Sequence, residues 1–288
     1  MRAIRAAERS LAGAIPPVRA ESRRALACGT AQQLDRASAL LAVAALADSG
    51  VEHYRGSFHN KVMYVPLGVA ALILASSLRG AAAREPGPRP RRNIVNGLAV
   101  ATGVIGTGFH CYNIAKRPGG VSWLNVFYAA PLGAPAALSL AGLFGMAAES
   151  LRDGRSEASG RALAGVVSAG LIGTTAEAAL MHFRGAYHNP AMAIPVAAPP
   201  VAAALLARAA ISPRRRRHFV TRWALKLLAA VGFIGSAFHA YGIKRNMGGW
   251  RNWTQNLLNG PPLPAPPSFT ALAMAGLAAL GLIERTNR

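Results

Sequence analysis

The side chains in this chain best suited to chemistry are histidines, and they come in matched sets. His53-Tyr54-Arg55-Gly56-Ser57-Phe58-His59-Asn60, with Met63 three positions on, recurs as His182-Phe183-Arg184-Gly185-Ala186-Tyr187-His188-Asn189, with Met192 three positions on. The second block lies 129 residues after the first, and the same offset carries His110 onto His239 and Asp48 onto Glu177. Imidazole suits iron, copper and zinc, and a thioether beside it suits copper or haem iron. His53, His59, Met63 and His110 are therefore candidate metal ligands in the first copy, and His182, His188, Met192 and His239 in the second. The same six histidines are candidates for holding a haem, with Arg55 and Arg184 available to its propionates. No Cys-x-x-Cys-His attachment motif is present, so the haem expected is haem b.

The spacing within each block says how these residues are presented. His59 and Met63, like His188 and Met192, are four apart and share one face of a helix. Gly56 and Gly185 are expected to take the positive φ of a tight reversal. Asn60 and Asn189 are expected to cap the next helix, with Pro190 at its first position. Asp48 and Glu177 fall five residues before the first histidine of each block, about 7.5 Å deeper along a helix. An acid at such depth is costly unless paired or near water, which makes them candidates for proton or ion coupling, with Arg55 and Arg184 as counter-ions. Gly103, Gly106, Gly232 and Gly235 read as helix-packing glycines, or alternatively as clearance for a flat cofactor beside His110 and His239. Tyr112, Tyr241, Trp123, Trp250 and Trp253 fit an interfacial aromatic belt.

The elements that must position these residues are membrane spans. Of the 288 residues, 52% are hydrophobic and 15% charged, and the apolar residues fall in runs near 36–54, 62–79, 94–114, 123–148, 161–182, 191–210, 220–243 and 266–284. Each is close to the roughly 17–25 residues that cross a bilayer. The fold class expected is all-α integral membrane, with about eight transmembrane helices in two tandem, parallel four-helix repeats. The second and sixth runs read as the weakest. The domains expected are a basic N-terminal arm (1–35), a first membrane repeat (36–148), a linker (149–160) and a second membrane repeat (161–288).

The net charge of +21 would point to nucleic acid in a soluble protein, but its placement argues against that partner. Most Lys and Arg residues fall in the arm, in the even-numbered loops and in the tail. The odd-numbered loops hold Arg55, Lys61, Lys116, Arg117, Arg184, Lys244, Arg245 and Arg251. This bias puts both termini in the cytoplasm and the six repeated histidines on the extracytoplasmic side of the inner (plasma) membrane. His218, beside Arg214–Arg217, is expected to be a solvated cytoplasmic residue. The first 34 residues lack the apolar core of a signal peptide.

The function expected is a non-catalytic or redox membrane subunit rather than a stand-alone enzyme. It would hold haem b or a transition metal (Cu, Fe or Zn) for electron transfer between an extracytoplasmic redox partner and a quinone in the lipid bilayer. The alternatives are a transporter of a metal ion or small anion that uses Asp48 and Glu177, and a membrane anchor or assembly subunit without chemistry. No soluble-enzyme motif is present.

Overall fold

The structure is a computed structural model, and it describes residues 17–83, 89–154, 159–212 and 218–286, without the side chains of 17–24 and 159. Expectations for residues 1–16 and for the basic run Arg214–Arg217 lie outside the described residues. Every regular element is helical: α1 (Pro17–Arg55), α2 (Val65–Ala82), α3 (Pro90–Ala115), α4 (Trp123–Phe127), α5 (Gly133–Arg152), α6 (Ser159–Arg184), α7 (Ile194–Ile211), α8 (Phe219–Arg245), α9 (Trp253–Asn259) and α10 (Pro267–Thr286). One-turn 3₁₀ segments lead into α2, α7 and α9.

Four helices form a closed inner ring in the order α1, α5, α6, α10, and each half of the chain supplies two of them. The pair α2–α3 packs on the α1–α5 side, and α7–α8 on the α6–α10 side. Small residues let the ring helices approach closely: Ala37, Ala45, Ala137, Ala141, Ala164, Ala271, Ala275 and Ala279 are all buried. Leu34, Leu41, Leu138, Phe144, Leu171 and Leu272 fill the space between them.

The outer helices turn apolar side chains outward. Of the most apolar stretch of α10, 72% is buried within the protein, against 17% for α3 and for α8. Ile94, Val104, Ile105, Phe219, Leu227 and Phe233 are all exposed on these two helices. Such continuous apolar surface is untenable in water and natural in lipid, where a helix satisfies its own backbone. Among the described residues, seven helices are long and apolar enough to cross a membrane. The chain is a polytopic membrane protein.

Three expectations about the spans are corrected. The helix missing from those seven is α1, whose 39 residues carry Asp35, Arg36, Asp48 and Glu52; α2 and α7, expected to be the weakest, are the most apolar. The run 123–148 is not one helix. It breaks after Phe127 and resumes at Gly133, with Pro131 in the break and Pro135 in the first turn of the new helix, where a proline has no intrahelical N–H bond to lose. The helices also run past their apolar cores, so that Asp35, Arg92, Glu149 and Arg152, assigned to arm and loops by hydropathy, are helical and buried.

Those four residues close one end of the first half. Arg92 pairs with both Asp35 and Glu149, while Arg152 reaches Asp35 at 2.6 Å and Glu149 at 2.8 Å. Arg152 also donates to the Gly80 carbonyl at 3.0 Å, and Gly80 has no Cβ where the Asp35 and Arg92 side chains pass. The second half has a simpler version in which Glu284 pairs with Arg222 at 2.5 Å. Glu149 and Glu284 also accept the backbone N–H of Arg89 and His218, at 2.9 and 3.2 Å, ahead of α3 and α8. A carboxylate at a helix N-terminus meets unpaired amides and the positive end of the dipole. His218, expected to be solvated, is buried there.

Candidate functional site

At the opposite end of the bundle lie the repeated histidines. The turn after α1 is built by two successive non-glycine residues in the left-handed region, Ser57 (φ 57°) and Phe58 (φ 44°). Ala186 (φ 54°) and Tyr187 (φ 46°) repeat it after α6. The positive φ expected of Gly56 and Gly185 thus belongs to their successors. The glycines instead lie under a methionine: a Cβ at Gly56 would lie 3.2 Å from Met63 Cε, and one at Gly185 3.3 Å from Met192 Cε, so the thioether would have to give by a few tenths of an ångström. Asn60 and Asn189 cap the following turns as expected, accepting from Val62 N and Ala191 N at 3.0 and 2.9 Å.

Each of the six histidines uses Nδ1 in the same way. His53 donates to the Met63 carbonyl at 2.7 Å, and His182 to the Met192 carbonyl at 2.8 Å. His110 donates to Pro131 O at 2.8 Å, and His239 to Pro262 O at 2.7 Å. His59 and His188 donate to Gly56 O and Gly185 O at 3.0 and 3.1 Å. A carbonyl only accepts, so Nδ1 carries the proton, and Nε2 of a neutral imidazole is left with its lone pair. A backbone carbonyl on one ring nitrogen is the arrangement that orients a histidine as a metal ligand through the other.

The structure brings two of these residues into ring contact. The His182 and His239 rings lie edge-on with centroids 6.5 Å apart, and His53 and His110 occupy the matching positions of the first half. His59 and His188 stay in the exposed turns. Met63 and Met192 contribute their carbonyls, and their thioether methyls pack over Gly56 and Gly185. Among the described residues, no three His, Cys, Asp or Glu side chains converge as metal ligands do. Gly103 and Gly232 leave no slot for a flat cofactor. A Cβ at Gly103 would run into Ser139 and Pro135, and one at Gly232 into Thr270 and Pro266.

The acids and arginines sit at the contact between the two halves. Glu177, on α6, lays its carboxylate over the backbone of Leu132 and Gly133 at the start of α5, and a Cβ on Gly133 would lie 2.7 Å from Glu177 Oε1. Arg184 spans the same junction. Its guanidinium stands 5.5 Å over the Phe127 ring and donates to Ala129 O at 3.3 Å. At the other junction Arg55 pairs with Glu52 rather than with Asp48. Asp48 lines a small cavity of about 230 Å³ with Pro262, Leu263 and Pro264.

Between α5 and α6 lies a cavity of about 940 Å³ that hydropathy could not reveal. Its walls include Trp123, Pro131, Leu140, Gly173, Glu177 and Arg184. The chain matches no family model, no curated protein and no solved structure.

Proposed function

We propose that this protein is a membrane redox subunit that binds one transition metal ion in each half, through His53 with His110 and through His182 with His239. The observation that carries the reading is the common tether: in both halves the two imidazoles give Nδ1–H to backbone carbonyls and keep Nε2 for a ligand. A metal about 2 Å from Nε2 lies roughly 3 Å from the ring centre, so two rings on one ion have centres about 5–6 Å apart. The 6.5 Å between His182 and His239 is close to that. Solvent or a partner protein would complete the coordination. Copper or iron is favoured over zinc for electron transfer, because zinc has no redox chemistry. A small ion is favoured over haem b because α5 and α10 already occupy the space beside Gly103 and Gly232.

The loop-charge bias supports an extracytoplasmic position for these histidines, where a redox partner would dock. A carrier using Asp48 and Glu177 is less well supported. The ring between the two ends is packed with Leu41, Leu138, Leu171 and Leu272, which are buried, and the far end of the first half is closed by its four-residue ion cluster.

The test is elemental analysis and an absorption spectrum of protein purified in detergent from cells supplied with copper, iron and haem. The expected result is close to one copper or iron per half, lost in the double variant His110→Gln, His239→Gln while the helical circular dichroism persists. Metal-free protein, or metal content unchanged in the double variant, would overturn the assignment. A Soret band would replace the ion with haem.

A further inference from the structure

We propose that the cavity between α5 and α6 is a binding site for an isoprenoid quinone, with the quinone ring at the Glu177–Arg184 end and the tail along α6 toward Gly173 and Val166. The cavity stands on its own geometry and does not depend on the metal assignment.

The cavity exists because the two junctions of the ring are unequal. At one, α10 packs closely against α1, helped by Gln33 Nε2 donating to the Met274 carbonyl at 2.8 Å, and only the small space beside Asp48 remains. At the other, α5 and α6 touch little, and about 940 Å³ stays open. That volume is at the upper end of the range for small-molecule sites, about 300–1,000 Å³.

Its lining is graded. Leu140, Val166, Ala169, Gly170 and Gly173 form an apolar channel, whereas Glu177, Arg184 and Tyr187 are placed toward the histidine end. The Arg184 side chain lines this end and is held there by the Val126 and Ala129 carbonyls at 3.4 and 3.3 Å, so a guanidinium is at hand for an acceptor oxygen of the head group. Glu177 supplies a carboxylate at the same end. An anionic head such as that of a fatty acid would gain the arginine but be repelled by the glutamate; a neutral quinone offers a carbonyl oxygen to the arginine, and its quinol form a hydroxyl that donates to the glutamate. Trp123, Phe183 and Tyr187 give that end aromatic walls for a ring.

Two walls of this pocket also touch the histidines. Pro131 accepts the Nδ1–H of His110, and the Tyr187 ring stands edge-on to His182 with centroids 6.1 Å apart. A quinone here would lie one residue away from a histidine of each half.

Trp123 provides the measurement, because a bound quinone quenches a tryptophan in its wall. Decylubiquinone titrated into the full chain in detergent should quench saturably, and Trp123→Phe should remove most of the saturable part. Gly173 lines the channel and has open space where a Cβ would go, so Gly173→Leu projects a side chain into the channel and should weaken binding by about tenfold or more. Arg184→Gln should weaken it about tenfold as well, while Gly97→Leu, on α3 away from the cavity, should leave it unchanged. Linear, non-saturating quenching that ignores Gly173→Leu would mean partition into the micelle and overturn the proposal. Displacement by oleate at equal affinity would overturn it in favour of a fatty-acid site. Binding that survives in the double variant His110→Gln, His239→Gln would uphold this site even if the metal assignment failed.

Discussion

Asp35 and Arg152 lie 117 positions apart in the chain and meet at 2.6 Å, with neither side chain exposed to any measurable extent. Arg92 and Glu149 complete the cluster, so the two acids and two arginines neutralise one another where α1, α2, α3 and α5 converge. Removing one member leaves the buried cluster with one uncompensated charge. Arg152→Gln or Asp35→Asn should each cost about 3–5 kcal/mol. The double variant should cost less than the sum, and thermal unfolding in detergent measures both. Additive losses would mean that the pair is not coupled.

The approach of α3 to α5 gives a sharper steric prediction. A Cβ at Gly103 would collide with backbone atoms of α5, and one at Gly232 with backbone atoms of α10, whereas one at Gly97 meets nothing within 4 Å. Gly103→Ala and Gly232→Ala should each destabilise by about 1–3 kcal/mol through overpacking. Gly97→Ala should instead be neutral or stabilising by up to about 1 kcal/mol through its helix propensity. Equal effects of all three would show that the close approach does not limit packing.

The histidine turn holds strain that can be relieved. Ser57 and Ala186 have φ of 57° and 54°, where glycine carries no steric penalty. Ser57→Gly and Ala186→Gly should raise stability by about 0.5–1 kcal/mol each, read as a higher midpoint of thermal unfolding. A lower midpoint would place the stability of the turn in side-chain contacts instead.

The duplicated pairs predict half-site behaviour. His239→Gln alone should remove the metal of the second half and leave that of the first, halving the metal content measured by elemental analysis. Complete loss would mean a single site shared between the halves.

Sidedness is checked at the same turns. With Cys28 and Cys111 replaced, a cysteine at Ser57 or Ala186 should react in intact cells or spheroplasts with a membrane-impermeant maleimide applied from outside. Labelling only in inverted vesicles would reverse the topology.

Much was legible without coordinates. The offset that links His53 to His182 and His110 to His239 is written in residue identities, and apolar runs of span length follow from what a bilayer demands of a helix. The caps at Asn60 and Asn189 were legible too, because a side-chain oxygen ahead of a helix start has one obvious use. Long-range partners were not. Hydropathy assigned Asp35, Arg92, Glu149 and Arg152 to the arm and loops because it averages over neighbours in sequence, whereas these four are brought together by helices that run past their apolar segments. The Arg55 partner is instead a local one: Glu52, one turn away on the same helix, is nearer than Asp48 two turns away.

By itself, the sequence determined that this chain spans a membrane several times and repeats a histidine block at a fixed offset, because composition, period and residue identity are local properties. Only the tertiary structure decided that every repeated Nδ1 is held by a backbone carbonyl, and that His182 and His239 meet ring to ring. It also decided that one junction between the halves is closed around Asp48 while the other stays open beside Glu177 and Arg184. Those outcomes depend on how closely helices from distant parts of the chain approach, and that distance is set by packing between small side chains that no single stretch of sequence contains.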